Sequence, residues 1–133
     1  MQQSLAESKM RVYIATSFHN MEVRDVANFL EDAGHSITCP WWKSKAPTVE
    51  EAQKDIQGIE DCDVVIGLFD KPYIYKGAIL ELGMAYAWNK HILIIGNELD
   101  SMIFMLLPRF IKVKNLKQAL KVMKDKIKQD EPV

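Results

Sequence analysis

One stretch of the chain, residues 63–69, is apolar at every position after its initial Asp63. A strand with one solvated face alternates apolar and polar residues, so an unbroken apolar run indicates a strand that is covered on both faces. Strands of this kind belong to parallel sheets, because the crossover helices that join parallel strands pack on both faces. The run therefore predicts a parallel sheet enclosed by helices.

The other segments alternate between short β-branched runs and segments with helical periodicity. Gly34 follows one helical segment as a C-terminal glycine does, and Thr48 with Glu51 forms the capping box of another. The predicted strands are residues 10–15, 35–39, 63–69, 91–95 and, more weakly, 110–113. The predicted helices begin at Asn20, Thr48 and Asn115 and cover 77–89, with a short helix within 97–107. This order predicts an α/β domain with helices on both faces of a five-stranded, mostly parallel sheet.

Length and composition restrict the classes of function. The chain has 133 residues, which suits one domain, predicted at 10–128 between a flexible tail at 1–9 and a loose end at 129–133. Its 17 basic and 18 acidic residues give a net charge of −1, which disfavours binding to a nucleic acid polymer. No apolar run suits a membrane span, and the first residues lack the pattern of a signal peptide. Cys39 and Cys62 do not make a disulfide framework, so a cytoplasmic location is expected.

The carboxyl ends of the strands are the first place to look for function. In open α/β sheets, ligands bind outside these ends at the point where the strand order reverses. A site is therefore predicted near residues 16–18, 69–77 and 96–97. The histidines and cysteines lack the spacing of metal ligands, and the chain has neither a GxGxxG motif nor a P-loop. We expect neither a metal nor a cofactor.

Glu81 is the only charged residue in the predicted helix 77–89. A carboxylate in so apolar a helix is costly to bury unless a ligand or a partner uses it. It lies near the helix start, where the positive end of the helix dipole favours the ionised form. An ionised carboxylate at this edge of the sheet could attack an electrophilic sugar carbon. A glutamate that caps backbone amides explains the position equally well.

Asp55 and Tyr13 are further candidates for catalysis. Asp55 lies on the helix that Thr48 opens, where it could protonate or hydrogen-bond a leaving group. On position alone, an exposed helix charge is the simpler interpretation of Asp55. Tyr13 in the first strand could orient a carboxylate through its hydroxyl, although a core tyrosine fits as well.

Polar and aromatic residues after the strands could bind a ligand. Thr16 and Ser17 offer hydroxyls and amides to a sugar or phosphate, or they only form a turn. Trp41 and Trp42 are adjacent and point in different directions, so one could stack on a base while the other packs. Asp70 ends the third predicted strand and could equally be a turn residue.

Three stretches of the chain together resemble one known family. They are residues 12–18 (VYIATSF), residues 55–65 (DIQGIEDCDVV), and residues 77–90, where a glycine stands four positions before the Glu-Leu-Gly-x-Ala string. In this order and spacing they resemble the nucleoside 2-deoxyribosyltransferases, a family that includes the 2'-deoxynucleoside 5'-phosphate N-hydrolases. The resemblance covers most of the chain, about residues 11–111. It implies a flavodoxin-like three-layer sandwich, and an enzyme that cleaves the N-glycosidic bond of (deoxy)nucleosides or their 5'-monophosphates and transfers the sugar to water or another base.

The resemblance also implies roles for individual residues. Glu81 would attack C1' and form a glycosyl–enzyme intermediate, Asp55 would assist the leaving base, and Tyr13 would contact the nucleophile. The substrate-binding residues expected beside them are Ala15, Thr16, Ser17, Phe18, Trp41, Asp70, Lys76 and Gly77. Family members complete the site with a polar residue from a neighbouring subunit. Asp100 or Ser101 is the nearest match, which implies a homodimer or a higher homo-oligomer.

The stretch before Glu81 departs from the family pattern. The transferases usually carry Asp-x-Gly-Thr where residues 75–78 read Tyr-Lys-Gly-Ala, and the monophosphate hydrolases tend to have serine in place of Tyr75. Lys76 could supply charge for a phosphate instead. Two other functions stay open: a NAD-cleaving enzyme similar to Toll/interleukin-receptor domains, which also place a glutamate on a helix after a strand, and a nucleotide-binding module without turnover.

Overall fold

A computed structural model of the chain describes residues 9–44 and 46–127. Within these residues, strands and α-helices alternate along the sequence. The strands are Arg11–Ala15 (β1), Ser36–Ile37 (β2), Val64–Leu68 (β3), His91–Ile95 (β4) and Phe110–Val113 (β5). The helices are Val23–Asp32 (α1), Val49–Asp61 (α2), Lys76–Ala87 (α3) and Leu116–Val122 (α4). The flexible tail predicted at 1–9 and the loose end at 129–133 lie outside the described residues, apart from Lys9.

The five described strands form one sheet in the order β2-β1-β3-β4-β5, and every neighbouring pair is parallel. This is the strand order of the flavodoxin-like fold. The predicted α/β sandwich is confirmed, and the sheet is parallel throughout the described residues rather than mostly so. Because β1 continues to β2 on one side and the chain then crosses to β3 on the other, the order reverses between β1 and β3.

Each face of the sheet is covered by two helices, which explains the unbroken apolar runs. Ile14 and Ile66 point to the face that α1 and α4 cover. Tyr13 and Val65, one residue away on the same strands, point to the face that α2 and α3 cover. All five residues of β3 are buried, as expected for a central strand of a doubly covered sheet.

Two predicted helix caps are present. The Thr48 hydroxyl accepts a hydrogen bond from the Glu51 backbone amide at 3.1 Å and opens α2. The Asn115 side-chain oxygen accepts one from the Gln118 amide at 2.9 Å and opens α4. These contacts satisfy amides that lack partners within the first turn of a helix.

The first helix does not begin at the predicted cap. Asn20 instead donates its side-chain amide to the Thr16 hydroxyl at 3.1 Å, and its oxygen accepts from the Glu22 amide at 3.0 Å. The helix starts only at Val23, with Glu22 at the cap position. Asn20 therefore closes the turn after β1, and because its side chain is used within this turn, the helix begins three residues later.

Three other predicted elements are longer than the elements in the structure. The strand predicted at 35–39 is reduced to Ser36–Ile37: the Thr38 amide still bonds the Val12 carbonyl at 2.9 Å, but Pro40, next in register, has no N–H to continue the pairing. The helix predicted at 77–89 ends at Ala87, before Asn89 takes a left-handed φ of 60°. The segment 97–107 contains only a 3-10 turn, Ile103–Leu106. Among the described residues no helix is long and apolar enough to cross a membrane.

The ends of β3 and β4 are pressed together at the carboxyl edge. Gly96, directly after β4, has a φ of 103°, and a Cβ built on it would lie 2.3 Å from the Phe69 carbonyl. A side chain cannot occupy that space, so glycine is required for this close approach. The segments that follow β3 and β4 are thereby held together at one rim of the sheet.

Candidate active site

A cavity of about 360 Å³ opens at this rim, where the strand order reverses. Its walls come from the segment after β1, the segment that leads into α3, and one face of α2. Two of the three residues proposed for catalysis, Asp55 and Glu81, line it. Six of the eight residues expected to bind substrate line it as well: Thr16, Ser17, Phe18, Trp41, Lys76 and Gly77.

Glu81 is half-buried and is held by a tyrosine rather than by backbone amides. It is the sixth residue of α3, one turn beyond the amides that a capping glutamate could reach. The Tyr13 hydroxyl donates a hydrogen bond of 2.7 Å to Glu81 Oε2. Tyr13 is fully buried on β1 beneath the cavity, so this bond fixes the carboxyl group from below. The geometry fits a positioned carboxylate and not a helix cap.

Burial sets the protonation behaviour of Glu81. Loss of solvation raises the pKa of its carboxyl group to about 7, the Tyr13 hydrogen bond acts in the opposite direction, and the nearby charge of Asp55 raises it further. The expectation that the start of the helix favours the ionised form is therefore wrong. The dipole effect fades after the first turn, and desolvation outweighs it here. Near neutral pH both protonation states of Glu81 are populated.

Asp55 lies on the inner face of α2 and is half-buried. The Cys39 thiol donates a hydrogen bond to its Oδ1 at 3.4 Å. Burial raises the pKa of the Asp55 carboxyl group, the bond from Cys39 works against this, and the charge of Glu51 adds to it. Asp55 is thus not the solvated helix charge that its position alone suggested.

The turn after β1 uses its side chains mainly to hold itself. The Thr16 hydroxyl donates to the Leu68 carbonyl at 2.8 Å and thereby ties the end of β1 to β3. The Ser17 hydroxyl oxygen accepts from the His19 amide at 3.1 Å. The hydroxyls of Thr16 and Ser17 therefore stabilise the cavity wall. Because the Ser17 hydroxyl only accepts in this bond, its O–H can still donate a hydrogen bond to a ligand.

The two adjacent tryptophans point in different directions, as predicted, and they have different surroundings. Trp42 is buried in the core, and Trp41 lines the cavity. The Trp41 indole N–H donates to the Ile14 carbonyl at 2.8 Å, and its ring meets Trp42 edge to face at 5.4 Å. These contacts fix the Trp41 ring at the rim.

Besides Tyr13, four expected site residues lie outside the cavity of their own chain. Ala15 is buried beneath it, and Asp70 is exposed, 3.9 Å from the Lys71 ammonium. Asp100 is exposed and paired with Lys112, and its neighbour Ser101 is exposed too. A residue that completes the site of a neighbouring subunit must lie outside the cavity of its own chain. The exposed positions of Asp100 and Ser101 are compatible with that expected role.

Four residues that line the cavity are not among the individually named candidates: His19, Ile74, Tyr75 and Ala78. Ile74 and Tyr75 lie within the predicted range 69–77, while His19 and Ala78 directly follow the predicted ranges 16–18 and 69–77. Tyr75 is buried edge to face against Phe69 at 4.8 Å and bonds the Lys71 carbonyl, which closes the loop before α3. Among the described residues, no group of three or more His, Cys, Asp or Glu side chains is placed to hold a metal ion.

Comparison with known proteins gives this site a family. The family model described as nucleoside 2-deoxyribosyltransferase matches residues 12–127, a span that contains every residue of the cavity. The chain belongs to the nucleoside 2-deoxyribosyltransferase family. It is an enzyme of this family, with nucleoside deoxyribosyltransferase or N-glycosidase activity. Comparison with curated proteins gives no match.

Solved structures of similar proteins share the fold. The 2-deoxyribosyltransferase of Bacillus psychrosaccharolyticus is 19% identical, with a TM-score of 0.61 over 83% of this chain and 90% of its own. The CMP N-glycosidase BcmB of Clostridium botulinum is 23% identical, with a TM-score of 0.59 over 84% of this chain and 95% of its own. The enzyme described as the 2-deoxyribosyltransferase of Leishmania mexicana is 25% identical, with a TM-score of 0.55 over 65% and 64%.

Proposed function

We propose that this family member cleaves the N-glycosidic bond of (deoxy)nucleosides or their 5'-monophosphates, with Glu81 as the nucleophile. The observation that carries the proposal is the Glu81 carboxyl group, half-buried at the cavity wall and held by Tyr13 at 2.7 Å. A carboxylate that is desolvated, oriented and open to a cavity is suited to attack an anomeric carbon.

The reaction proceeds in two displacements. In the first, a Glu81 oxygen bonds to C1' while the bond between C1' and the base nitrogen breaks, and that electron pair leaves with the base. The sugar remains as an ester on Glu81, and the base takes a proton. In the second, water or another base attacks C1' and loses a proton to the carboxylate that protonated the leaving base, and the electron pair of the ester bond returns to Glu81. Water gives hydrolysis, and a base gives transfer.

Asp55 is proposed to assist the leaving base. It lines the same cavity, and its raised pKa keeps part of the carboxyl population protonated above the usual range. A protonated Asp55 donates a proton or a hydrogen bond to the departing nitrogen. Lys76, exposed at the cavity mouth, is the proposed contact for a 5'-phosphate.

The function is tested by a chromatographic screen of nucleosides and 5'-monophosphates, each with and without a second free base. We expect release of a free base from at least one deoxynucleoside or its monophosphate, and the dependence on the second base separates transferase from hydrolase. NAD is included in the panel. Release of nicotinamide alone, with no base from any nucleoside, would assign the chain to NAD cleavage instead.

Trp41 is proposed to stack on the base of the substrate. Replacing it with alanine should raise KM about tenfold with a smaller change in kcat, since stacking of a base on an aromatic ring contributes roughly 1–3 kcal/mol. Trp41→Phe also loses the bond to the Ile14 carbonyl but keeps an aromatic face, so it is the matched control. Equal KM values for the two variants would exclude a stacking role.

A homo-oligomer is proposed on the apolar surface beside α3. Leu80 on α3 is 69% exposed, and Ile103, Phe104 and Leu106 in the 3-10 turn are 71%, 60% and 81% exposed. An apolar groove of about 340 Å³ lies between this turn and α3. Exposed apolar side chains beside an apolar groove favour an interaction site. It adjoins Asp100 and Ser101, the residues expected to reach a neighbouring subunit.

Charging this surface should dissociate the oligomer. We expect the double substitution Phe104→Glu and Leu106→Glu to give monomers in sedimentation velocity and to reduce base release, because the neighbouring polar residue is then absent. Phe29→Glu, at a 40% exposed position on α1, serves as the control and should leave the oligomer intact. Monomeric wild-type protein with full activity would contradict a shared site.

A further inference from the structure

Helix α2 approaches the segment after β2 more closely than a side chain would allow. A Cβ built on Gly58 would lie 2.5 Å from the Cys39 Cβ and 3.3 Å from the Thr38 hydroxyl. Thr38 donates to the Gly58 carbonyl at 2.7 Å and fastens the two elements together. This close junction holds Cys39 against the face of α2.

Asp55 stands three residues before Gly58, on the same face of the helix. Cys39 is 8% exposed, and burial raises the pKa of its thiol to about 12, so the thiol stays protonated across the working range. Its Sγ lies 3.4 Å from Asp55 Oδ1, and a protonated thiol can only donate to a carboxylate. The buried Cys39 thiol therefore donates a hydrogen bond to one of the two oxygens of the Asp55 carboxyl group.

We propose that Cys39 is a positioning residue for Asp55: its thiol holds Oδ1, so that Oδ2 is presented to the leaving base. This assignment rests on the proposed function of Asp55. Neither the sequence pattern nor the family resemblance singled out Cys39, because its role depends on the close approach at Gly58.

The titratable groups that act on Asp55 from the elements packed against it are acidic, while His19 and Lys76 line the same cavity. Glu51 lies one turn earlier on α2, Glu81 faces it from α3, and Tyr13 lies below on β1. Negative charge on Glu51 or Glu81 disfavours ionisation of Asp55, while a hydrogen-bond donor to its carboxylate favours ionisation. Removing the thiol should therefore raise the pKa of Asp55 as well as release its orientation.

The test compares four variants with the wild-type enzyme. Cys39→Ala and Cys39→Val remove the donor with a smaller and a slightly larger side chain, so the comparison does not depend on one variant folding. Cys39→Ser restores a donor. Cys62→Ala removes the other buried free cysteine, at the far end of α2, and is the matched control. The Asp55 carboxyl group is titrated by carbon NMR, and kcat and KM are measured for base release.

We expect the Asp55 pKa to rise by about half a unit without the donor, and kcat to fall about threefold with KM little changed. Serine should restore both, and Cys62→Ala should change neither. An unchanged Asp55 titration in Cys39→Ala or Cys39→Val, or the same shift in Cys62→Ala, would overturn the proposal. If wild-type protein releases no base from any substrate, the proposed function fails while the titration still decides the role of Cys39.

Discussion

Replacement of Glu81 with glutamine is expected to reduce base release by about 10⁴-fold or more while the protein stays folded. The amide is nearly the same size as the carboxyl group, and its oxygen can still accept the hydrogen bond from Tyr13. It cannot form the ester to C1', however, because an amide oxygen is a poor nucleophile. Base release is followed by chromatography, and folding by circular dichroism.

Two observations separate a nucleophile from a residue that only shapes the cavity. Glu60→Gln changes an exposed glutamate at the end of α2 and should keep full turnover. Mass spectrometry of wild-type enzyme quenched with substrate should find a sugar adduct on the peptide that contains residue 81, and none in Glu81→Gln. A Glu81→Gln enzyme that retains turnover close to that of the wild type would exclude the covalent mechanism.

The sheet could be predicted because its signals are local. Strand β5 matches its predicted range of 110–113, and the caps at Thr48 and Asn115 act within one helical turn. The errors occur where a single residue changes the local backbone pairing. Asn20 bonds back to the Thr16 hydroxyl within the turn, so that α1 begins only at Val23, and Pro40 has no N–H with which to extend β2. Hydrophobic periodicity carries no information on such effects.

The position of the cavity could be predicted more fully than its chemistry. Parallel strands end at one rim, so the turn after β1 and the start of α3 must meet there. Glu81 stands out because it is the single charge in an apolar helix. The pKa of Glu81 and the contact of Cys39 with Asp55 depend on how deeply α2 and α3 pack on the sheet. For α2, the absence of a side chain at Gly58 allows the close approach, which the sequence alone does not relate to Cys39.

The same carboxyl group should make the stability of the protein depend on pH. Its pKa is about 7 in the folded protein and near the ordinary glutamate value of 4.5 when unfolded, so the folded state binds the proton more tightly. The resulting stabilisation is fully present below pH 4.5 and is lost as the pH rises through 7. The shift corresponds to about 3 kcal/mol between these limits.

Glu81→Gln removes this dependence, since glutamine stays neutral. We expect urea unfolding to give similar free energies for the two proteins near pH 4.5, and a variant more stable by about 3 kcal/mol at pH 8. Asp63→Asn is a control of opposite sign. Burial tends to raise the pKa of Asp63, but its hydrogen bonds to Arg11 outweigh this and lower the pKa. Ionised Asp63 therefore stabilises the fold above its unfolded pKa, and this stabilisation is lost as the pH falls.

A difference between wild type and Glu81→Gln that stays constant from pH 4.5 to 8 would mean that Glu81 is as well solvated in the fold as in the unfolded chain. A solvated carboxylate would leave the proposed nucleophile without the desolvation on which its reactivity depends. A variant that is more stable and inactive at pH 8 would instead show that the fold carries an unfavourable ionised group at the cavity. The chemistry proposed for residue 81 supplies the reason for keeping it there.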